Sequence, residues 1–195
     1  MKGYTNNKKI IIAITGASGA VYGIRLLTIL GQIEYIETHL IISKAGLITI
    51  NHETNYTLSD IKNLATYYHH NQDITASIAS GSFKQDGMVI APCSMNTLAT
   101  VACSIENNLI SRVANVCLKE RRKLILLCRE FPLHAGQLEH MLALTNRGAI
   151  IAPPVVAFYH QPQTINDIVD HTVYRTLDLL DIHIDFPTRW VGINN

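Results

Sequence analysis

Ile10-Ile11-Ile12-Ala13-Ile14-Thr15-Gly16-Ala17-Ser18-Gly19-Ala20-Val21-Tyr22-Gly23 is the stretch from which the rest of the chain can be read. Its five leading apolar residues, four of them isoleucine, suit a strand buried on both faces of a parallel sheet. The small residues that follow suit a sharp turn into a helix. Gly16 and Gly19 let the backbone approach a ligand closely, and the free N–H groups and dipole of the next helix favour a phosphate. The turn is neither G-x-G-x-x-G nor G-x-x-x-x-G-K-[ST], so a phosphate cradle and a plain tight connection both fit it. Ser18 adds a hydroxyl that can touch a ligand or cap the helix. For a dinucleotide ribose no acidic residue is clearly placed, since Glu37 begins the second strand rather than ending it.

Outward from this turn, strands and helices alternate. Ile24, Leu27 and Leu30 at helical spacing predict a helix over 20–30 that stops at Gly31. A strand over 38–42 runs into Ser43, a cap for a helix reaching toward Glu53. A helix over 58–68 with Ser59 as its cap is expected next, then a polar loop through His69, His70 and Asn71. Ser80-Gly81-Ser82-Phe83-Lys84 is unpatterned loop. The buried-strand pattern returns over 87–91 and leads through Pro92-Cys93-Ser94-Met95-Asn96-Thr97 into a helix through Val101. Asn108 caps a helix over 109–121, and a strand over 124–128 ends in Arg129-Glu130. A helix over 133–146, a short strand over 149–152, an extended loop through Tyr159 and Pro162, and a helix from Thr164 through Leu180 complete the series. The alternation predicts one three-layer α/β/α domain over 1–195, with 1–8 as an N-terminal arm and 182–195 as a tail. Its sheet is doubly wound and mostly parallel, with right-handed crossovers.

At 195 residues, 48% hydrophobic and only 16% charged, the chain can bury a large core and some of its surface in an oligomer. A net charge of +1 argues for neither nucleic acid nor a membrane surface, and no apolar run is long enough to span a bilayer. Cys93, Cys103, Cys117 and Cys128 have no C-x-x-C spacing and read as reduced core residues of a cytoplasmic protein. Among nine histidines there is no H-E-x-x-H, and His69-His70 reads as surface.

Ligands on such sheets sit beyond the carboxyl ends of the strands, where Ser18, Ser43, Ser94, Thr97, Arg129 and Glu130 gather. Arg129 and Glu130 follow an apolar strand, where a charge is costly unless paired or used; a local ion pair and a phosphate grip beside a proton-handling carboxylate both fit. Arg112 and Lys119 share a helical face with Asn108 and Asn115, a stripe that is either solvated or part of a site. Tyr159 is either a ligand contact or packing over the sheet edge, and Arg175 alone reads as surface.

Taken in order, Thr15-Gly16-Ala17-Ser18-Gly19-Ala20, Ser80-Gly81-Ser82, Ala91-Pro92-Cys93-Ser94, Asn108-Leu109-Ile110, Leu118-Lys119-Glu120-Arg121-Arg122, Arg129-Glu130 and Phe158-Tyr159-His160-Gln161-Pro162-Gln163 resemble the UbiX-type flavin prenyltransferases over nearly the whole chain. The resemblance implies a Rossmann-like dodecamer with sites shared between subunits. The implied reaction joins the dimethylallyl group of dimethylallyl monophosphate to reduced FMN without a metal. Its product, prenylated FMN, serves UbiD-type decarboxylases in ubiquinone biosynthesis or aromatic acid metabolism. The implied FMN contacts are Gly16, Ala17, Ser18, Ser43, Ser94, Met95, Asn96, Thr97 and Arg129. Lys119, Glu130, Tyr159 and Arg175 are implied for the prenyl phosphate, with Arg112, Glu53 and Trp190 completing the site. Among these, Ser18, Glu53, Lys119 and Glu130 carry the chemistry: Glu130 protonates the departing phosphate, and Ser18 with Glu53 moves protons during ring closure. The absence of a D-D-x-x-D run favours a monophosphate held by Lys119, Arg129 and Arg175 over a magnesium diphosphate. The tail after Asp181 departs from the family apart from Arg189-Trp190. Two rivals are an FMN-dependent cysteine decarboxylase, whose histidine and Pro-Ala-Ser-Ala-Asn-Thr motif are not found, and a non-catalytic flavin carrier, which would have no use for Lys119, Tyr159 and Arg175 together.

Overall fold

Every residue of Ile10–Ile14 is buried, as the unbroken apolar run requires, because β1 (Lys8–Ile14) lies inside the sheet. The computed structural model describes residues 7–186 together with Arg189 and Gly192. In it, β1 pairs with β2 (Ile36–Ile42) on one side and β4 (Gly87–Cys93) on the other. The edge strand β3 (Tyr67–His70) flanks β2, while β5 (Lys123–Cys128) and β6 (Ile150–Ile151) extend the sheet beyond β4. The order is β3-β2-β1-β4-β5-β6 with every pairing parallel, so the chain reverses its direction of growth between β1 and β4. That reversal opens a crevice beyond the carboxyl ends of those two strands.

Alternate residues of β1 feed two cores. Ile10, Ile12 and Ile14 pack with α1 (Ala20–Leu30), α2 (Lys44–Glu53), α3 (Leu58–Asn63) and α7 (Ile165–Leu179). Ile11 and Ala13 face α4 (Met95–Ala102), α5 (Leu109–Lys119) and α6 (Ala135–Asn146). α1 lies so near the sheet that a Cβ on Gly23 would stand 2.3 Å from the Ala91 carbonyl oxygen. Among the described residues no helix is long and apolar enough to cross a membrane.

Several boundaries differ from the sequence reading. α3 ends at Asn63, and its cap is Thr57, not Ser59: Thr57 Oγ1 accepts the Asp60 N–H at 3.2 Å while Asp60 accepts the Thr57 N–H at 2.8 Å. The residues expected to continue that helix and then loop instead form β3, in register with His39–Ile42 of β2. An edge strand is buried on one face only, so it carries no apolar run; pairing with β2 decides its conformation. Thr38 and Thr66 lock its approach by exchanging side-chain-to-backbone bonds of 3.1 and 2.9 Å. His69 is consequently half-buried rather than surface, 2.9 Å from His39. α5 stops at Lys119 because Arg121 turns left-handed at φ 57°, and α6 starts at Ala135. Cys93, Cys117 and Cys128 are buried as read; Cys103, beyond the end of α4, is exposed.

Candidate active site

Thr15 ties the two strands that flank the crevice. Its hydroxyl donates to the Pro92 carbonyl at 2.7 Å and accepts the Ser94 N–H at 2.8 Å. Ser43 N–H donates to the Ile14 carbonyl at 3.0 Å and Arg129 N–H to the Cys93 carbonyl at 3.2 Å, so the ends of β2, β1, β4 and β5 form one connected rim. A Cβ on Gly16 would lie 2.4 Å from Ala45 Cβ, which shows how tightly the first turn seats on the start of α2. Gly19, at φ 105°, turns the chain into α1 through a conformation that favours glycine. Gly16, Ala17 and Ser18 therefore share the rim with Ser43, Ser94, Thr97 and Arg129.

The anion at the amino end of α1 is a protein side chain. Glu53, from the last turn of α2, accepts the Gly19 N–H at 2.8 Å and the Ala20 N–H at 3.0 Å. Burial pushes its carboxyl up, but the Ser18 hydroxyl, these two N–H groups and the Arg129 charge outweigh it and hold Glu53 below the usual range. Glu53 is thus ionised at neutral pH, and it takes the two N–H groups that were expected to meet a phosphate. α4 offers the alternative: the first-turn N–H groups of Met95 and Asn96 have no intrahelical acceptor, while Ser94 Oγ takes the Thr97 N–H at 3.3 Å and lies 3.0 Å from Thr97 Oγ1. Among the described residues Arg129 and Glu130 form no ion pair; Arg129 acts on Glu53, and exposed Glu130 accepts only its neighbour's Phe131 N–H at 3.1 Å.

Tyr159 meets α7 one turn before Arg175. The Tyr159 hydroxyl lies 2.7 Å from Nε2 of His171, four residues before Arg175 on α7. Arg175 pairs with Asp178 at 2.9 Å, and Arg189 grips the same carboxylate at 2.9 Å. Burial raises the Asp178 carboxyl, yet the hydrogen bonds from Arg189 and His183 and the two arginine charges bring it below its ordinary value. The spacing analysis missed His171; the signal was a polar residue at a buried position of an amphipathic helix.

The Flavoprotein family profile matches residues 2–177. The flavin prenyltransferase UbiX of Thauera aromatica is 50% identical over 184 residues, 94% of each chain. Among solved structures, AnUbiX (PadA1) in complex with FMN and dimethylallyl pyrophosphate superposes with a TM-score of 0.91 at 45% identity, covering 96% of this chain and all of that one. A dodecameric FMN-dependent UbiX-like decarboxylase from Escherichia coli O157:H7 gives 0.92 at 45% identity, covering 94% of this chain and all of that one. The chain belongs to the UbiX-type flavin prenyltransferases.

Two of the residues the resemblance assigns to this UbiX-type site lie away from the rim within a single chain. Arg112 and Lys119 line a separate cavity of about 460 Å³ with Thr75, Ser80, Gly81 and Glu106. Arg112 donates to the Ala79 carbonyl at 3.1 Å and pairs with Glu106, and Lys119 pairs with Glu120 at 3.1 Å. Lys119 ends α5 just before β5 begins, whereas Arg129 follows the strand's far end, about 20 Å along it. The stripe they share is not simply solvated: Asn115 Nδ2 is buried there with no hydrogen-bond partner among the described residues. Trp190 lies outside the described residues. The rim itself suits FMN: hydroxyls from Ser18, Ser43, Ser94 and Thr97, a helix amino end free of any carboxylate bonded to it among the described residues, and the Arg129 guanidinium form a donor set for a phosphate and a polar ring edge.

Proposed function

We propose that this UbiX-type chain transfers the dimethylallyl group of dimethylallyl monophosphate to reduced FMN in the β1/β4 crevice. The observation that carries the reading is the convergence on one rim of Ser18, Ser43, Ser94 and Arg129 from four different strand ends, with an ionised Glu53 from the end of α2. The first turn of α4, Met95, Asn96 and Thr97 behind Ser94, holds the FMN phosphate, and Gly16, Ala17, Ser18, Ser43 and Arg129 border the ring system. Reduced FMN, when bound, supplies the nucleophilic ring atoms that take the five-carbon unit.

Tyr159 and Arg175 orient the donor's phosphate, and Glu130 passes a proton to the departing phosphate oxygen. Glu53 accepts a proton through the Ser18 hydroxyl as the new ring closes. Arg112 and Lys119 complete the phosphate site of a neighbouring subunit in a dodecamer, which reconciles their distance from the rim with a catalytic role. The monophosphate is the favoured donor because the charges of Lys119, Arg129 and Arg175 match it. The enzyme works in the cytoplasm and hands prenylated FMN to a UbiD-type decarboxylase.

Purified protein incubated anaerobically with reduced FMN and dimethylallyl monophosphate, without added metal, should yield extracted flavin heavier by one five-carbon unit in its mass spectrum. Unchanged flavin with FMN saturated would overturn the proposal, and product formed only from the diphosphate would overturn the choice of donor.

A further inference from the structure

Tyr159 is held by more than its place in the loop. His171, buried on α7, stands 2.7 Å from the phenol oxygen through Nε2, and the two rings meet edge to face at 5.5 Å. His160 stacks flat on His171, with centroids 4.6 Å apart and planes 10° off parallel. Burial first, then the charges His160 and Arg175 would add, push the His171 imidazole below its ordinary range, so it is neutral at neutral pH. A neutral imidazole carries one N–H, and Nε2 can either accept from the phenol or donate to it.

Phosphate oxygens without a proton only accept. A phenol that donates to one must turn its hydroxyl hydrogen outward, and its oxygen then accepts from Nε2–H. His171 and Arg175 also line one cavity of about 110 Å³ with Pro153 and Pro154, so His171 faces the same space as the arginine assigned to the donor's phosphate. We propose that His171 is a positioning residue for the prenyl transfer: its Nε2–H holds the Tyr159 oxygen so that the phenol hydroxyl is presented to the phosphate of the donor. The assignment deepens the proposed function and rests on Tyr159 meeting that phosphate.

The test is a double-mutant cycle on Tyr159→Phe and His171→Leu, with His171→Gln as the conservative variant. His171→Leu should raise the KM for dimethylallyl monophosphate roughly tenfold, the size of one hydrogen bond, while the KM for FMN stays put. His171→Gln, whose amide nitrogen reaches the place of Nε2, should recover most of that loss, and His171→Leu should add almost nothing on the Tyr159→Phe background. If both KM values moved together, or the two effects multiplied, the assignment would be overturned. Should His171→Leu fail to fold, the ¹⁵N signal of His171 Nε2 in the resting protein decides: it should shift in Tyr159→Phe, and an unmoved signal overturns the pairing. Wild-type protein that makes no prenylated flavin, with that signal shifted as expected, would instead bring down the functional reading and leave only a structural pair.

Discussion

Glu53 reaches the amino end of α1 from the last turn of α2, and its carboxylate takes the two N–H groups that first suggested a phosphate. The same contacts that hold α1 and α2 together keep the group ionised beside Ser18 and Arg129, so fold and chemistry draw on one charge. Glu53 is exposed, so solvent screens its charge, and Glu53→Gln should cost no more than about 0.5–1 kcal/mol of stability at neutral pH. Because the folded value lies below the ordinary 4.5, this contribution is complete above that pH and fades as pH falls through the folded value. Urea midpoints of wild type and variant should differ at pH 7 and converge in acid; a gap independent of pH would mean the charge is not what stabilises. Glu130 needs no such partner. In Glu130→Gln, turnover should fall about a hundredfold or more with FMN affinity unchanged, measured by flavin fluorescence quenching alongside product formation.

The elements that the sequence analysis described well are those whose residues are buried on every side or in a regular stripe. β1, β4 and β5 are continuous apolar runs, and α1 and α7 are regular stripes, so local pattern and tertiary demand agree. α3 and β3 show the opposite case. The helix stops after Asn63 and the next residues extend to pair with β2, a bond partner far away in the chain. Thr57→Ala should cost about 1 kcal/mol through loss of the reciprocal cap, whereas Ser59→Ala should leave the unfolding midpoint nearly unchanged; equal losses would place the cap wrongly. At the contact of α1 with β4, Gly23→Ala would set its Cβ 2.3 Å from the Ala91 carbonyl oxygen. The helix must shift, at a cost of about 1–3 kcal/mol in thermal or urea unfolding.

At the scale of the whole molecule, the site assigned by resemblance divides into a rim cluster, a Tyr159–His171–Arg175 cluster and a distant Arg112–Lys119 pair. One chain leaves the last of these about a strand's length from the first, and a shared site between subunits predicts complementation. Lys119→Ala and Glu130→Gln homo-oligomers should each be nearly inactive, while mixed and reassembled subunits recover up to roughly a quarter of wild-type turnover. A mixture no better than its parents would place all the residues within one chain. By itself the amino-acid sequence determined the order of strands and helices other than β3, the glycine turn and the rim hydroxyls, because burial and turn chemistry act between residues close along the chain. Only the tertiary structure decided that Glu53 takes the N–H groups at the start of α1, that 67–70 is an edge strand, that His171 backs Tyr159 and that Lys119 lies apart from Arg129. Each of these is a contact or a separation between distant segments, set by how helices pack across the sheet, and no local periodicity encodes it.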